Sequence, residues 1–180
     1  MTITDLSGRW EVCLDESKAD ALPTKYPDRI SLPDSTSNAG LGALNTEMEY
    51  GCLTDLHKFE GFAWFRREVE IRPEMSGKNL TLFLERTRKT RVYIDGNQIG
   101  EYCSLCTPHR YDLTGLPAGK HELIIRVDNT DYPTGGGHLT SRDTQTNWNG
   151  IVGRIELQSY SAYPEYVYAI PDPDKKTLHV

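Results

Sequence analysis

The stretch Gly61–Ile71, GFAWFRREVEI, is rich in aromatic and β-branched residues and alternates between apolar and polar side chains. Ala63, Phe65, Val69 and Ile71 fall in one register of period two, which is typical of a half-buried β-strand. Arg67 interrupts this register. Either a partner compensates its charge, or a β-bulge shifts the face of the strand at this point.

Further strands are predicted on both sides of this stretch, because short apolar or alternating runs recur between Gly, Pro, Asn and Asp. These runs are Trp10–Leu14, Arg29–Pro33, Lys78–Glu85, Arg91–Gly100, His121–Asp128 and Ile151–Leu157. The turn of a hairpin is predicted at Asp95-Gly96-Asn97, residue types that tolerate positive φ. No helical pattern interleaves with the strands. The sequence therefore predicts an all-β antiparallel β-sandwich, for which a jelly roll fits at least as well as an immunoglobulin-like topology.

Composition restricts the possible partners. The chain has 180 residues, enough for one domain or for one domain and a fragment of a second. Its 20 Lys and Arg against 26 Asp and Glu give a net charge of −6, which argues against binding to nucleic acid or to an anionic membrane. No apolar run approaches the roughly 18–20 residues that would span a bilayer. The first residues, Met1–Asp5, lack the basic start and apolar run of a leader.

The four cysteines are Cys13, Cys52, Cys103 and Cys106. Four are too few for a disulfide scaffold in a chain of this length, so we expect reduced thiols and a cytoplasmic location. Cys103 and Cys106 have the spacing of a zinc or redox motif, and His109 follows. A structural zinc site needs four ligands, and no second close pair is present. We therefore expect no metal and no cofactor.

Two long polar segments, residues 33–60 and 128–150, interrupt the regular spacing of strands. Long loops on a sandwich are where function is expected. Neither contains a nucleophile elbow, a metalloprotease motif or a phosphate-binding loop. A catalytic pair of carboxylates cannot be selected from 26 acidic residues by sequence alone. At the end of the second segment, Gly150 and Gly153 indicate a bulge or a close backbone approach.

The last twenty residues follow a different pattern. A linker is predicted after Leu157, followed by a strand at Tyr166–Ile170, a turn at Pro171–Lys176 and a further strand beginning at Thr177. A chain that stops inside an apparent strand suggests that a longer protein continues beyond it.

Taken in order, several motifs resemble the N-terminal sugar-binding domain of glycoside hydrolase family 2, which contains β-galactosidases, β-glucuronidases and β-mannosidases. The resemblance covers nearly all of residues 5–160. Its motifs are Leu6-Ser-Gly-Arg-Trp10-Glu-Val, Ile30-Ser-Leu-Pro33-Asp-Ser-Thr, Gly61-Phe-Ala-Trp64-Phe-Arg-Arg67-Glu-Val, Val92-Tyr-Ile-Asp-Gly96-Asn-Gln-Ile-Gly100, Val127-Asp128-Asn129 and Trp148-Asn-Gly150-Ile-Val-Gly153-Arg-Ile-Glu-Leu157.

The resemblance implies a jelly-roll domain of the galactose-binding type at residues 1–160. It also implies a linker and the first strands of a truncated immunoglobulin-like domain at residues 161–180. In that family the catalytic glutamates lie on a later TIM barrel, so this chain is expected to contain no catalytic residue and to be inactive alone. Its partners would be the missing immunoglobulin-like and barrel domains. The 128–150 loop, with its Gly135-Gly-Gly-His138 tip, matches no single enzyme of the family, which leaves the sugar open.

Candidate sugar contacts come from the same resemblance. The acidic or amide residue after the strand of the Val-x-Val-x-Asn type maps to Asp128, with Asn129 beside it, and a second contact maps loosely to Asn45. Further candidates in the long loop are Asp143 and Asn147. Such side chains suit sugars because they can bond neighbouring hydroxyls in pairs. The alternative for Asp128 is a cap on the loop backbone at the end of a strand.

The three tryptophans have two interpretations. The first interpretation is that all three lie in the core, because Trp10, Trp64 and Trp148 each have a large apolar area. Trp148 is the best candidate for a platform on which a sugar ring stacks, because it ends the long loop. Arg66 and Arg67 could grip a carboxylate, although structural pairing is the simpler interpretation.

Three functions fit these observations. The first is a non-catalytic domain of a family 2 glycosidase that supports the barrel and helps shape the pocket for the terminal sugar. The second is an independent carbohydrate-binding module, and the third is a scaffold without sugar contact. A module should bind sugar in isolation, whereas one or two hydrogen bonds from a pocket rim cannot offset the cost of association.

Overall fold

Two antiparallel β-sheets form the body of the protein in the structure, which is a computed structural model describing residues 1–46, 55–132, 146–162 and 167–180. Within these residues the structure contains strands and no helix. The strands are β1 (Thr2–Asp5), β2 (Gly8–Asp15), β3 (Asp28–Leu32), β4 (Asp34–Ser35), β5 (Ala43–Leu44), β6 (His57–Lys58), β7 (Phe62–Ile71), β8 (Asn79–Leu84), β9 (Lys89–Ile94), β10 (Asn97–Tyr102), β11 (His109–Asp112), β12 (Gly119–Asp128), β13 (Gly150–Ile151), β14 (Ile155–Tyr160), β15 (Ile170–Asp172) and β16 (Thr177–His179).

The larger sheet has six strands in the order β10-β9-β12-β7-β2-β3, and the smaller has four in the order β1-β14-β8-β11. At the centre of the larger sheet, β7 pairs with β12 over its whole length, from Phe62 opposite Asp128 to Ile71 opposite Gly119. Strands that are distant in sequence lie next to each other in both sheets. The predicted all-β antiparallel sandwich is therefore confirmed.

Side chains from the facing sides of both sheets form the main hydrophobic core. Leu80, Leu82 and Leu84 of β8 are buried in it, as the alternation of the sequence predicts. Trp10 and Phe65 contribute from the larger sheet and are almost fully buried. Burial of such side chains contributes about 1.5–3 kcal/mol each, so this layer accounts for most of the hydrophobic stabilisation.

A second, smaller cluster covers the opposite face of the six-stranded sheet. Trp64, Tyr93 and Ile124 lie on this face, and Tyr26 packs on them from the segment before β3. Asp20 of the same segment accepts hydrogen bonds from Arg91 and Arg126 of the sheet. The segment thereby shields an apolar patch that the sheet alone would leave exposed. The prediction that Trp10 and Trp64 are buried is confirmed, in two different clusters.

Arg67 lies in a regular part of the sheet, because the pairing of β7 with β12 continues through it without a bulge. Its Nη1 donates to the backbone carbonyls of Leu6 at 2.5 Å and Ser7 at 3.0 Å. Of the two predicted explanations, pairing of the side chain is therefore correct and the bulge is wrong. The partners are carbonyl groups, which a sequence pattern does not identify.

The predicted strand Ile151–Leu157 is wrong as a single element. The structure divides it into β13 and β14, because residues 152–154 leave the ladder to pass close to the β8–β9 connection. A Cβ at Gly153 would lie 2.6 Å from the carbonyl oxygen of Glu85, and one at Gly150 would lie 2.4 Å from that of Asp34. Both predicted close backbone approaches are confirmed.

Two further boundaries differ from the prediction. Asn97 is the first paired residue of β10, so the hairpin turn consists of Asp95 and Gly96 alone, both at positive φ. In the tail, Ile170 begins β15 instead of ending a strand, since residues 167–169 are not paired; Tyr166 lies outside the described residues. β15 pairs with β16, and the turn between them is shorter than predicted. The described part of the chain contains no helix of the length and apolarity needed to cross a membrane.

Candidate functional site

Asn129 connects three segments at the end of the sandwich where β12 ends and β7 begins. Its side chain is fully buried, and its Oδ1 accepts a hydrogen bond from the backbone N–H of Gly61 at 3.0 Å. Its Nδ2 donates to the carbonyls of Phe59 at 2.7 Å and Asn147 at 2.8 Å. Every polar atom of this amide is therefore engaged, which makes Asn129 an anchor for the surrounding loops.

Asp128 caps the end of β12. Its Oδ1 accepts hydrogen bonds from the backbone N–H and the hydroxyl of Thr130, each at 2.7 Å. Its Oδ2 lies 3.2 Å from Nζ of Lys89, and only 7% of the side chain is exposed. Of the two interpretations made from the sequence, the backbone cap describes this geometry. A contact between Asp128 and a sugar stays a prediction.

Arg88 is a buried cation at the same end of the sandwich. Only 3% of the residue is exposed. Its Nε donates to the carbonyl of Trp148 and its Nη2 to that of Thr146, both at 3.2 Å. Its guanidinium carbon lies 4.1 Å from the centroid of the Trp148 ring and 5.6 Å from that of Tyr132. Arg88 thus contacts Tyr132 as well as Thr146 and Trp148.

Burial sets the electrostatics around Arg88. Loss of water lowers the pKa of its guanidinium, and the charges of Tyr132 and Asp55 oppose this shift only in part. Burial likewise raises the pKa of Tyr132 to about 12, although Arg88 acts in the opposite direction. At neutral pH the cation and the neutral phenol therefore coexist, and the cation is stabilised by ring faces and carbonyl dipoles.

The exposed part of this region is polar and aromatic. Asn147 is exposed, its Nδ2 donates to Oε1 of Glu60 at 3.2 Å, and its Oδ1 accepts from the hydroxyl of Tyr132 at 3.5 Å. Trp148 is half-buried, with one ring face against Arg88. We call Glu60, Arg88, Asn129, Asn147 and Trp148 the loop-end cluster. It presents an amide, a carboxylate and an indole on a buried base, a combination that can bond hydroxyl groups and pack against a sugar ring.

Asn149 is fully buried and follows Trp148 of the loop-end cluster in the sequence. Its Nδ2 donates to the carbonyls of Val127 at 3.1 Å and Gly61 at 3.3 Å. Its Oδ1 is buried and has no hydrogen-bond partner within the residues that the structure describes. Thr36, whose N–H donates to the carbonyl of Asn149 at 2.9 Å, brings the 33–60 segment to the same place.

The structure brings four of the six predicted sugar contacts together: Asp128, Asn129, Asn147 and Trp148. Asn45 lies on the neighbouring β5–β6 hairpin, where its Nδ2 donates to the carbonyl of Asp55 at 3.4 Å. Asp143 lies outside the described residues. Trp148, unlike the other two tryptophans, is not a core residue, because the loop keeps it at the surface. None of these placements tests a contact with sugar.

Arg88, Glu60 and Tyr132 are not predicted as site residues from the sequence. Arg88 lies in the charged run Glu85–Lys89, which is typical of a solvated connection between strands. Nothing local in the sequence distinguishes a buried arginine there. Glu60 directly precedes Gly61, where a predicted strand begins, and Tyr132 follows Asn129 by three residues. A search for polar residues near the ends of the predicted strands would have included both.

The predicted zinc or redox residues lie outside the loop-end cluster. His109 is fully buried, and its Nδ1 lies 2.5 Å from Oγ1 of Thr90 while its Nε2 lies 2.7 Å from the carbonyl of Ser104. Cys103 and Cys106 are free and exposed. Within the described ranges, no group of three or more His, Cys, Asp or Glu side chains could hold a metal ion.

Comparisons with known proteins identify solved structures with the same fold. No protein-family model matches the chain, and no curated protein sequence matches it. The chain is similar to a β-glucuronidase from an uncultured Clostridium species, with a TM-score of 0.66 and 19% identity, over 96% of this chain and 32% of the enzyme. A Faecalibacterium prausnitzii β-glucuronidase gives a TM-score of 0.65 and 20% identity, over 94% of this chain and 33% of the enzyme.

A third similar structure is a glycoside hydrolase family 2 β-galacturonidase from Eisenbergiella tayi bound to glycerol. It gives a TM-score of 0.61 and 17% identity, over 87% of this chain and 24% of that enzyme. The chain thus spans a third or less of the length of these enzymes. At such low identity the comparison establishes architecture only. The sequence-level resemblance is confirmed at that level: the chain has the fold of a domain-sized part of these glycoside hydrolases.

Proposed function

We propose that residues 1–160 form a non-catalytic, sugar-binding domain of a glycoside hydrolase of family 2. In this proposal the domain packs against a catalytic barrel and contributes part of the rim around the terminal sugar. Residues 161–180 would be a linker and the first strands of an immunoglobulin-like domain. The order of the sequence motifs and the shared fold of the β-glucuronidases and the β-galacturonidase support this assignment.

The loop-end cluster is the observation that carries the proposal. Asn129 and Arg88 are buried and hydrogen-bonded, so they fix the backbone of residues 146–149. On this rigid base, Asn147 and Trp148 remain accessible. A preorganised amide next to an indole loses little conformational entropy when it contacts a sugar, which is the property that a pocket rim requires.

The same geometry argues against catalysis by the cluster itself. Of its carboxylates, Glu60 is an exposed side chain that accepts from Asn147. The neighbouring Asp128 is engaged by Thr130 and Lys89. Both carboxylates thus act as hydrogen-bond acceptors for neighbouring protein groups. The proposal therefore assigns bond cleavage to a separate domain.

The first experiment is to determine the coding sequence beyond Val180. We expect the reading frame to continue through an immunoglobulin-like sandwich and a (β/α)₈ pattern containing a pair of glutamates. A stop codon directly after Val180 would contradict the parent-hydrolase proposal. The chain would then be a stand-alone binding domain, and a glycan-binding screen would be the next experiment.

The second experiment tests the rim directly in the full-length enzyme with p-nitrophenyl β-glucuronide and β-galactoside. Asn147→Ala and Trp148→Ala should each lower kcat/KM for the preferred substrate by about tenfold, since one lost hydrogen bond or ring contact is worth roughly 1–1.5 kcal/mol. Lys176→Gln, on the β15–β16 hairpin, is the matched control. Unchanged kcat/KM in both variants would indicate that the domain is a scaffold without sugar contact.

A further inference from the structure

An open groove of about 670 Å³ lies on the six-stranded sheet where β2 separates from β7. The two strands pair from Asp15 opposite Phe62 to Glu11 opposite Arg66, and the pairing stops there. The groove also reaches Glu122 on β12. Because Glu122 and Asp128 are six residues apart on one strand, about 20 Å separates the groove from the loop-end cluster.

Charged side chains of both signs line this groove. Its cationic residues are Arg9, Arg29, Arg66, Arg67 and Lys120, and its carboxylates are Glu11, Glu68 and Glu122. The carboxylates are compensated within the groove. Glu11 pairs with Arg29 at 2.7 Å and with Arg66, Glu68 pairs with Lys120 at 2.7 Å, and Glu122 lies 3.6 Å from Arg66.

Two cations remain without an ion pair. Within the described residues, neither Arg9 nor Arg67 forms a salt bridge with a carboxylate, and the side chain of Arg9 is exposed. Two hydrogen bonds from Ser7 lower the pKa of Asp5, and the charge of Arg67 adds a smaller effect in the same direction. The charges of Arg9 and Arg67 give the groove an excess of positive charge on a protein whose net charge is −6. The groove can therefore attract an anionic ligand, although the protein as a whole is negatively charged.

Arg67 offers a specific geometry for such a ligand. Its Nη1 is occupied by the carbonyls of Leu6 and Ser7, which fix the guanidinium near the Trp10 ring, 5.7 Å from the ring centroid. Its Nε and Nη2 form no hydrogen bond within the described residues, and they are not among the buried polar atoms without a partner. The Nε–Nη2 edge of a held arginine is suited to bidentate binding of a carboxylate.

We propose that this groove binds an acidic sugar, that is, a uronate residue of a saccharide, through its carboxylate on Arg67 and Arg9. The three groove carboxylates keep free lone pairs beyond their ion pairs, and these can accept hydrogen bonds from sugar hydroxyls. A phosphate or sulfate group offers few or no donors to these acids and would be repelled by them. A ligand that joins one carboxylate to several hydroxyls matches both the cations and the carboxylates of the lining. The proposal does not depend on the function assigned to the loop-end cluster.

Nitrogen-15 NMR spectra of the 180-residue chain test this site. Digalacturonate, added to millimolar concentration, should shift the amide signals of residues 9–11, 66–68 and 120–122 and leave those of residues 128–132 and 146–149 unchanged. Lactose, a neutral disaccharide, and inorganic phosphate are the comparison ligands. Binding should weaken as the salt concentration increases, because the attraction is partly exposed to solvent.

Two variants test whether Arg67 and Arg9 bind the carboxylate of the ligand. Arg67→Lys keeps the charge but loses the bidentate edge, and it should raise the dissociation constant for digalacturonate about tenfold. Arg9→Gln should raise it several-fold without loss of stability, since Arg9 has no protein partner that the structure describes. Lys176→Gln makes the same change of charge on the β15–β16 hairpin and should bind like the parent chain. Circular dichroism melting confirms that each variant is folded.

Three outcomes would overturn the proposal. They are an absence of shifts at the groove, equal shifts with lactose, and binding of phosphate as tight as that of digalacturonate. The third would mark a general anion site. Shifts confined to residues 128–132 and 146–149 would also reject the groove while supporting sugar binding at the loop-end cluster, so the failures of the two proposals are distinguishable.

Discussion

At the scale of single residues, two histidines respond to pH in opposite directions. Burial lowers the pKa of His109, and only the bond to the carbonyl of Ser104 opposes this shift. The hydrogen bond to Asp95 raises the pKa of His121, against desolvation. The protonated form of His109 is therefore unfavourable in the folded state, whereas that of His121 is favourable. The pH dependence that His109 contributes therefore lies below the unfolded pKa of about 6.5, and that of His121 lies above it.

Replacement of His109 by Gln removes one of these effects. Below the unfolded pKa of about 6.5, the unfolded chain takes up a proton that folded His109 resists, so this residue lowers stability as the pH falls. His109→Gln should therefore flatten or reverse the loss of unfolding free energy between pH 7 and 5.5, by at most about 1.4 kcal/mol per pH unit. Urea titrations at several pH values measure this slope.

The matched variant is His121→Gln, for which the sign is reversed. Folded His121 has a raised pKa, so its contribution is complete below about pH 6.5 and is lost as the pH rises through the folded pKa. Without it, the chain should not gain this stability as the pH falls from the folded pKa to about 6.5, so in that range the unfolding free energy should change less favourably on acidification than in the parent chain. Parallel slopes in the parent and both variants would contradict the assigned environments.

At the scale of elements, Gly150 at the start of β13 gives a strong test of the close contact between β13 and β4. Gly150 has a φ of +129°, and a Cβ there would lie 2.4 Å from the carbonyl oxygen of Asp34, in the partner strand β4. Gly150→Ala should lower the free energy of unfolding by about 2 kcal/mol or more, because strain and a backbone clash add. Urea denaturation measures the loss.

Gly100→Ala is the control for this prediction. Its Cβ would meet only the Tyr111 ring at 3.6 Å, an ordinary contact, and its φ is outside the left-handed region. The change should alter stability by less than about 1 kcal/mol. Equal effects of the two substitutions would show that the β13–β4 contact is not tight.

Strands were predictable where their pattern depends on local alternation. Leu80, Leu82 and Leu84 belong to this class, because any half-buried strand needs one apolar face. Long-range backbone contacts are not visible in such a pattern. The division of Ile151–Leu157 depends on the connection after β8, and the burial of Arg88 depends on carbonyls 58 and 60 positions away. Asn129 and Asn147 of the loop-end cluster were predicted because strand ends can be located from the sequence. Arg88 was missed because tertiary packing alone creates its burial.

At the scale of the whole molecule, the described residues divide into a sandwich and a terminal hairpin. The strands of the sandwich exchange hydrogen bonds within two large sheets, whereas β15 and β16 pair with each other. Several apolar side chains of the tail are exposed: Val167, Tyr168, Ile170 and Leu178. Exposed apolar groups at this density are typical of surfaces that another domain covers. This arrangement agrees with a domain boundary near residue 160, which stays a prediction.

Truncation tests that boundary. A chain that ends at Ala162 keeps all strands of both large sheets, including β14. We expect its melting temperature to stay within about 2 °C of the parent value, because changes outside the packed core alter stability by about 0.5 kcal/mol or less. We also expect less self-association at high concentration, since the exposed apolar side chains are gone. Differential scanning calorimetry and sedimentation velocity measure the two effects.

A chain that ends at Arg154 is the contrasting control. It lacks β14, which lies between β1 and β8 and contributes the buried residues Ile155 and Leu157 to the core. This shorter chain should not fold cooperatively, because loss of a central strand exposes both the core and the unpaired edges of its neighbours. If the 162-residue chain instead melted more than about 5 °C below the parent, the hairpin would belong to the cooperative unit of the sandwich. Residues 161–180 would then have to be assigned to the sandwich domain.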